Sequence, residues 1–158
     1  MRKMTVGLVS HLVRDYNLGC SALAVSNIRL MDSVFAEYDV QPCYRVILSE
    51  PRYPVDLASY TSLVGVTSNP YEYRTYPRLK ATIKNPSLIR KSDAFDGCDL
   101  VVDLCGGDGY TDNYGITRLI AESLAIEHAK AHGAPIVFAP QTIGPFNTRL
   151  GSAVAKRE

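Results

Sequence analysis

The chain carries no excess charge of either sign. Seventeen Lys and Arg stand against 16 Asp and Glu, a formal net charge of +1 over 158 residues. Dedicated nucleic-acid binders usually show a strong basic excess, so nucleic acid is not expected as a partner. No apolar run approaches the ~20 residues that span a bilayer, and no transmembrane segment is expected. The N-terminal MRKMTVGLVSHLVRD begins with charge and continues with apolar residues, as a leader would. Its apolar stretch is short, is broken by Ser10 and His11, and lacks a small-residue cleavage site. It reads as a first strand, and the chain as cytoplasmic. The four cysteines, Cys20, Cys43, Cys98 and Cys105, form no C-x-x-C pair, the spacing that zinc sites and thioredoxin-like motifs use. Reduced thiols and no metal site are expected. A P-loop, a G-x-S-x-G elbow and an H-E-x-x-H helix are all missing. The stretch after the first strand has only Gly19 where a dinucleotide fingerprint needs three glycines.

What remains has the size and apolar content, 46%, of one self-sufficient domain. Short β-branched runs alternate with helical patterns. Thr5–Ser10, Cys43–Leu48 (within Pro42–Ser49), Asp99–Cys105 and Ile136–Ala139 read as strands, the first of them central. Helices are expected at Leu18–Tyr38, with Asn17 as N-cap, and at Asn113–His132, ended by Gly133. A last helix would start near Thr148. Residues 50–92 are broken by Pro51, Pro54, Pro70, Pro77 and Pro86, and loops with one or two short elements are expected there. All-apolar strands alternating with helices specify an α/β fold, a parallel sheet with helices on both faces.

Such sheets bind ligands at the carboxyl ends of their strands. The loops to watch are therefore His11–Gly19, Gly106–Asp112 and Pro140–Phe146. His11 ends the first strand and is a candidate polar contact. Asp108 and Asp112 belong to a run of six aspartates between Ser92 and Asn113 that contains no Lys or Arg. Turn and cap roles account for most of that run better than a metal does. Asp103 differs, because a carboxylate inside a buried strand needs a partner. His128 and His132, four apart on a helix, read as packing and surface residues. Tyr53, Tyr60, Tyr71, Tyr73 and Tyr76 suit either stacking on a ligand or a tyrosine-lined lid.

Three loops together resemble one family. DLVVDLCGGDGYTDNYG is similar to the strand and glycine-rich loop of the polysaccharide pyruvyl transferases. APQTIGPF resembles their later strand-end loop, and Asn17-Leu18-Gly19 resembles the Asn-x-Gly-Asp loop that opens their first helix. Cys20 stands where that family usually has Asp. The resemblance implies a Rossmann-like domain, one half of a two-domain GT-B-type transferase, with this chain as the N-terminal, acceptor-side half and the C-terminal half absent. It implies transfer of pyruvate from phosphoenolpyruvate onto a sugar of a cell-surface polysaccharide. Phosphoenolpyruvate would be a substrate, and no cofactor is implied. Location would be cytoplasmic, or membrane-peripheral through a lipid-linked acceptor. The substrate-binding candidates are His11, Asn17, Gly19, Gly106, Gly107, Asp108, Asp112, Gln141 and Gly144, and no residue is assigned a catalytic role. The isolated chain is expected to be inactive and to expose a surface prone to self-association. The alternatives are a freestanding, non-catalytic Rossmann-like binding domain and a fragment of another sugar-modifying enzyme.

Overall fold

In the computed structural model, which describes residues 1–14, 17–49, 56–64 and 70–157, the chain builds β1 (Arg2–Val9), α1 (Leu18–Glu37), β2 (Val40–Ser49), α2 (Leu57–Val64) and β3 (Tyr71–Tyr76). It continues with α3 (Leu79–Lys84), α4 (Leu88–Lys91), β4 (Leu100–Asp103), α5 (Ile116–Ala131), β5 (Ile136–Phe138) and α6 (Arg149–Arg157). The strands form one sheet in the order β3-β2-β1-β4-β5. Every pairing is parallel, and β1 is central.

Side chains of β1 alternate between two cores. Val6 and Leu8 join Tyr44, Val46, Val102 and Leu104 beneath α1 and α2, which contribute Ala24, Ile28, Tyr60 and Val64. Val9 joins Ile47 and Val101 beneath α3, α4 and α5, where Phe95, Leu124, Ala125 and Ala129 close the layer. Both faces of β1 are covered, which is why its inner half is apolar without a polar alternation. Gly7 lets the strands approach: a Cβ there would lie 3.0 Å from Ile47 Cδ1 and 3.2 Å from Val101 Cγ2. A third cluster, Cys105, Tyr110, Leu119 and Ile126 with Phe138, Phe146 and Val154, joins α5 to α6.

The fold expected from sequence is the fold observed, with three differences. First, the proline-rich segment holds more structure than expected. Tyr71–Tyr76 is an edge strand flanked by Pro70 and Pro77, positions where a missing N–H costs no ladder bond. Its Glu72 pairs with Arg45 of β2. The described tyrosines among the five form no lid: Tyr60, Tyr71 and Tyr73 pack on the first core, and Tyr76 on the second. Pro51, Tyr53 and Pro54 lie outside the described residues, as do residues 15 and 16 of the first loop.

Second, β4 is shorter than expected. Cys105 at φ +43° bends the chain into a 3-10 turn, Cys105–Gly107. Third, α5 starts at Ile116 behind Gly115 at φ +98°. Its end is as expected: Gly133 sits at φ +71°, and the Ala134 and Gly133 N–H groups reach the Ala129 and Lys130 carbonyls at 3.0 and 3.1 Å, a Schellman motif.

Candidate functional site

From β1 the chain crosses to β2 through α1 on one face; from β4 it crosses to β5 through α5 on the other. The carboxyl ends of β1 and β4, neighbours in the sheet, therefore flank a topological switch point, where doubly wound sheets open a crevice. A cleft of about 320 Å³ lies there, lined among others by Ser10, Ser49, Tyr76, Gly106, Arg118 and Glu122.

Two strained residues shape its floor. Ser10 (φ +60°) and Cys105 (φ +43°) both adopt the left-handed region, which costs a non-glycine residue about 1–2 kcal/mol. Just before them in register, Asp103 sits opposite Val9. Asp103 is 1% exposed. Its Oδ1 accepts the Cys105 N–H at 3.0 Å; the Ser10 side chain also favours the ionised carboxyl, though among the described residues Oδ2 has no hydrogen bond of good geometry. Burial pushes this carboxyl up to about 7; the Cys105 N–H opposes the rise, and the Glu122 carboxylate adds to it. Burial also raises Glu122, against the pull of the Arg118 guanidinium 3.8 Å away. Tyr76 is pushed up as well, by burial first and then by the charges of Glu122 and Asp103. The cleft lining thus combines one carboxyl group of raised proton affinity, Glu122, with one guanidinium and two serine hydroxyls, and a second such carboxyl, Asp103, is buried nearby.

The three loops singled out in the sequence do meet at this edge. Cys20 Sγ donates to the Gly106 carbonyl at 3.3 Å, joining the start of α1 to the glycine turn. The Thr142 N–H reaches the Gly107 carbonyl at 2.8 Å, and the Gly144 N–H the Tyr110 carbonyl at 2.9 Å. Within that frame the nine candidates separate by role. Gly106 lines the cleft. Gly107 packs instead against α1, where a Cβ would fall 2.6 Å from Leu23 Cδ1, and its N–H is spent on the Leu104 carbonyl. Asn17 and Gly19 are exposed, the Asn17 carboxamide capping α1 by accepting the Gly19 N–H at 2.9 Å. Asp108 is exposed and accepts the Tyr114 hydroxyl at 2.6 Å; the Tyr114 ring lies 4.8 Å from the Arg118 guanidinium. Gln141 donates to the Asp103 carbonyl at 3.4 Å and is not part of the cleft lining.

Two candidates are turned away from solvent. His11 is fully buried, with Nδ1 2.8 Å from the Val9 carbonyl and Nε2 2.7 Å from the Asn27 side-chain amide. Burial lowers its proton affinity, so the ring is neutral and both nitrogens are engaged in the core. Asp112 accepts the Asn147 N–H, the Thr148 N–H and the Thr148 hydroxyl at 2.8, 2.7 and 2.7 Å. Those bonds hold its carboxyl below the usual carboxylate range and use both oxygens to fix the entry to α6.

Sequence reasoning named Tyr76 among five candidate tyrosines and missed Ser10, Arg118 and Glu122. Arg118 and Glu122 are spaced i, i+4, the signature of an ordinary solvated helix pair; only the crossover of β4 to α5 aims them at the crevice. Asp103 was the one detectable signal, a carboxylate in an otherwise apolar strand. Among the described residues no three His, Cys, Asp or Glu side chains group as a metal site requires, and none of the four cysteines forms a disulfide. No described helix is long and apolar enough to cross a membrane.

These features define a doubly wound, Rossmann-like α/β domain with a polar cleft at its switch point. No family model, curated protein or solved structure matches the chain.

Proposed function

We propose that this domain binds a polyhydroxylated ligand at the carboxyl edge of its sheet and serves as the acceptor-sugar half of a polysaccharide pyruvyl transferase-like enzyme. The reading is carried by one observation: the three loops whose residues resemble that family are hydrogen-bonded together at the carboxyl edge of the sheet, and Gly106 of the middle loop lines a cleft of about 320 Å³ there. Carboxylates accept hydrogen bonds from sugar hydroxyls, while the Ser10 and Ser49 hydroxyls and the Arg118 guanidinium donate to them. In this reading phosphoenolpyruvate is the donor, and a second half of the enzyme supplies the cationic groups for its phosphate. The acceptor is a precursor of a surface polysaccharide, met in the cytoplasm or on a lipid carrier at the membrane.

A second reading, a binding domain without catalysis, has its own support. The lining of the cleft includes one cation, Arg118, too little to hold a phosphate dianion and stabilise it as a leaving group. Both readings share the sugar-binding edge and differ in chemistry. Incubating residues 1–158 with phosphoenolpyruvate and a panel of methyl glycosides, with phosphate release as the signal, is expected to show binding by saturation-transfer NMR and no turnover. Turnover that disappears on changing Arg118 or Glu122 would overturn the assignment of donor chemistry to a second half. Loss of all glycoside binding would overturn both readings.

A further inference from the structure

We propose that Asp103 and Glu122 form a single subsite that holds two adjacent hydroxyls of the ligand, and that the ligand displaces a proton as it binds there. The inference rests on the sugar-binding reading and adds to it where the hydroxyls sit and in which charge state the protein receives them.

The geometry has three parts. Glu122 lines the cleft from α5, with Arg118 one turn earlier holding one side of its carboxylate. Asp103 comes from the neighbouring strand and lies beneath the lining: Val9, opposite it in register, and Tyr76, whose proton affinity responds to its charge, both face the cleft. Its Oδ2 is the unspent atom, buried and without a hydrogen bond of good geometry among the described residues. A buried carboxylate oxygen left unsatisfied is costly, and a cleft beside it that admits a donor removes that cost. The donor that fits between two carboxyl groups is a pair of hydroxyls on adjacent carbons, one for each.

The charge state follows. Among the described residues the ionisable neighbours of Asp103 are Tyr76 from β3, Cys105 in the turn that follows, and Glu122 with Arg118 from α5. Burial and the Glu122 charge oppose ionisation of Asp103 and outweigh the hydrogen bonds from Cys105 and Ser10 that favour it, while Arg118 acts on Glu122. Near neutral pH the pair therefore retains part of a proton in the empty cleft. Hydroxyl groups that donate to both carboxyls stabilise the ionised form, so that proton leaves as the ligand enters. By linkage, affinity rises with pH while the pair still carries its proton, with a ceiling of about tenfold per pH unit for one proton released.

The test uses residues 1–158 with two probes that carry cis-vicinal hydroxyls, methyl α-mannopyranoside and methyl β-galactopyranoside, titrated at pH 6 and pH 8. Expected are an affinity at pH 8 higher by about three- to tenfold, loss of most binding in Glu122→Gln, and a titration of the Asp103 carboxyl carbon, read by NMR in the unmodified protein, that moves to lower pH when a probe is bound. The NMR reading keeps the test independent of whether an Asp103 variant folds. Binding that is the same at both pH values and survives Glu122→Gln would overturn the subsite while leaving the sugar-binding reading in place. Failure of both probes to bind at either pH would overturn the two together.

Discussion

Replacing Asp103 by Asn should make this domain more stable at pH 8 while changing little near pH 4. Asp103 is 1% exposed, and its carboxyl is pushed from an ordinary 3.8 up to about 7 in the folded chain. The folded state therefore keeps a proton that the unfolded chain has already released. Between those two values the unfolded state binds fewer protons, so stability falls as pH rises. A difference of about three units corresponds to about 4 kcal/mol, all of it spent by pH 8 and none of it below pH 3. Asn keeps the acceptor for the Cys105 N–H, present at 3.0 Å, and cannot ionise. Part of the gain is lost because its NH2 group needs an acceptor of its own in the space of Oδ2. A net stabilisation of about 2–3 kcal/mol at pH 8 is expected, a sizeable fraction of a typical domain's 5–15 kcal/mol. Urea unfolding of both proteins across pH 4–8 measures it. If wild-type stability is flat from pH 5 to 8, or if the variant is the weaker protein at pH 8, the buried carboxylate is not destabilising and the reasoning fails. A residue that lowers stability at working pH without packing benefit is what a binding site retains and a scaffold discards.

Other expectations follow from single contacts. Gly7→Ala places a methyl 3.0 Å from Ile47 Cδ1 and 3.2 Å from Val101 Cγ2, and should cost about 1–3 kcal/mol in urea unfolding as the strands are forced apart. Tyr60→Phe removes the hydroxyl that donates to the buried His11 carbonyl at 2.7 Å; a loss of about 1–2 kcal/mol is expected in the same assay, and no loss would mean the carbonyl finds another donor. Cys20 should alkylate faster than Cys98 or Cys105, as followed by mass spectrometry. It is only half-buried in the first turn of α1, where the helix dipole favours a thiolate, whereas burial pushes the other two thiols up.

The framework of the fold was legible because its determinants are local. The runs around Val6–Val9 and Val101–Val102 can only be strands buried on both faces, and Asn17 and Gly133 mark helix ends by their own chemistry. The edge strand Tyr71–Tyr76 was not legible. Its Glu72 and Arg74 break the apolar pattern, and they are tolerated because β3 has a neighbour on one side only and Arg45 across the ladder balances Glu72. The site divides the same way. The meeting of the three loops could be read from strand order, since all leave carboxyl ends of one sheet. The inward turn of His11 could not, because its partner Asn27 lies 16 residues away on α1. Nor could the fate of Asp112, whose partners Asn147 and Thr148 come 35 and 36 residues later. Side chains of the same type, Asp103, Asp108 and Asp112, end up buried near the cleft, exposed against Tyr114, and locked into a helix entry. Tertiary partners decide among these outcomes, and composition is silent on them.

That lock has a mechanical consequence. Residues 110–112 are tied to 143–148 by the Tyr110–Ile143 bridge, the Gly144 N–H on Tyr110, the Thr111 hydroxyl on the Pro145 carbonyl at 2.6 Å, and the three bonds of Asp112. Gly151 packs so tightly on Asp112 that a Cβ there would fall 2.3 Å from its Oδ2. The first turn of α6 and the glycine turn at the rim of the cleft therefore move as one plate. A push on α6 is delivered to Gly106 through a handful of short bonds rather than along the intervening chain. The start of that helix is thus fixed to the glycine-rich loop by short bonds, and a substitution that loosens Asp112 should be felt at the carboxyl edge of the sheet as well as in α6.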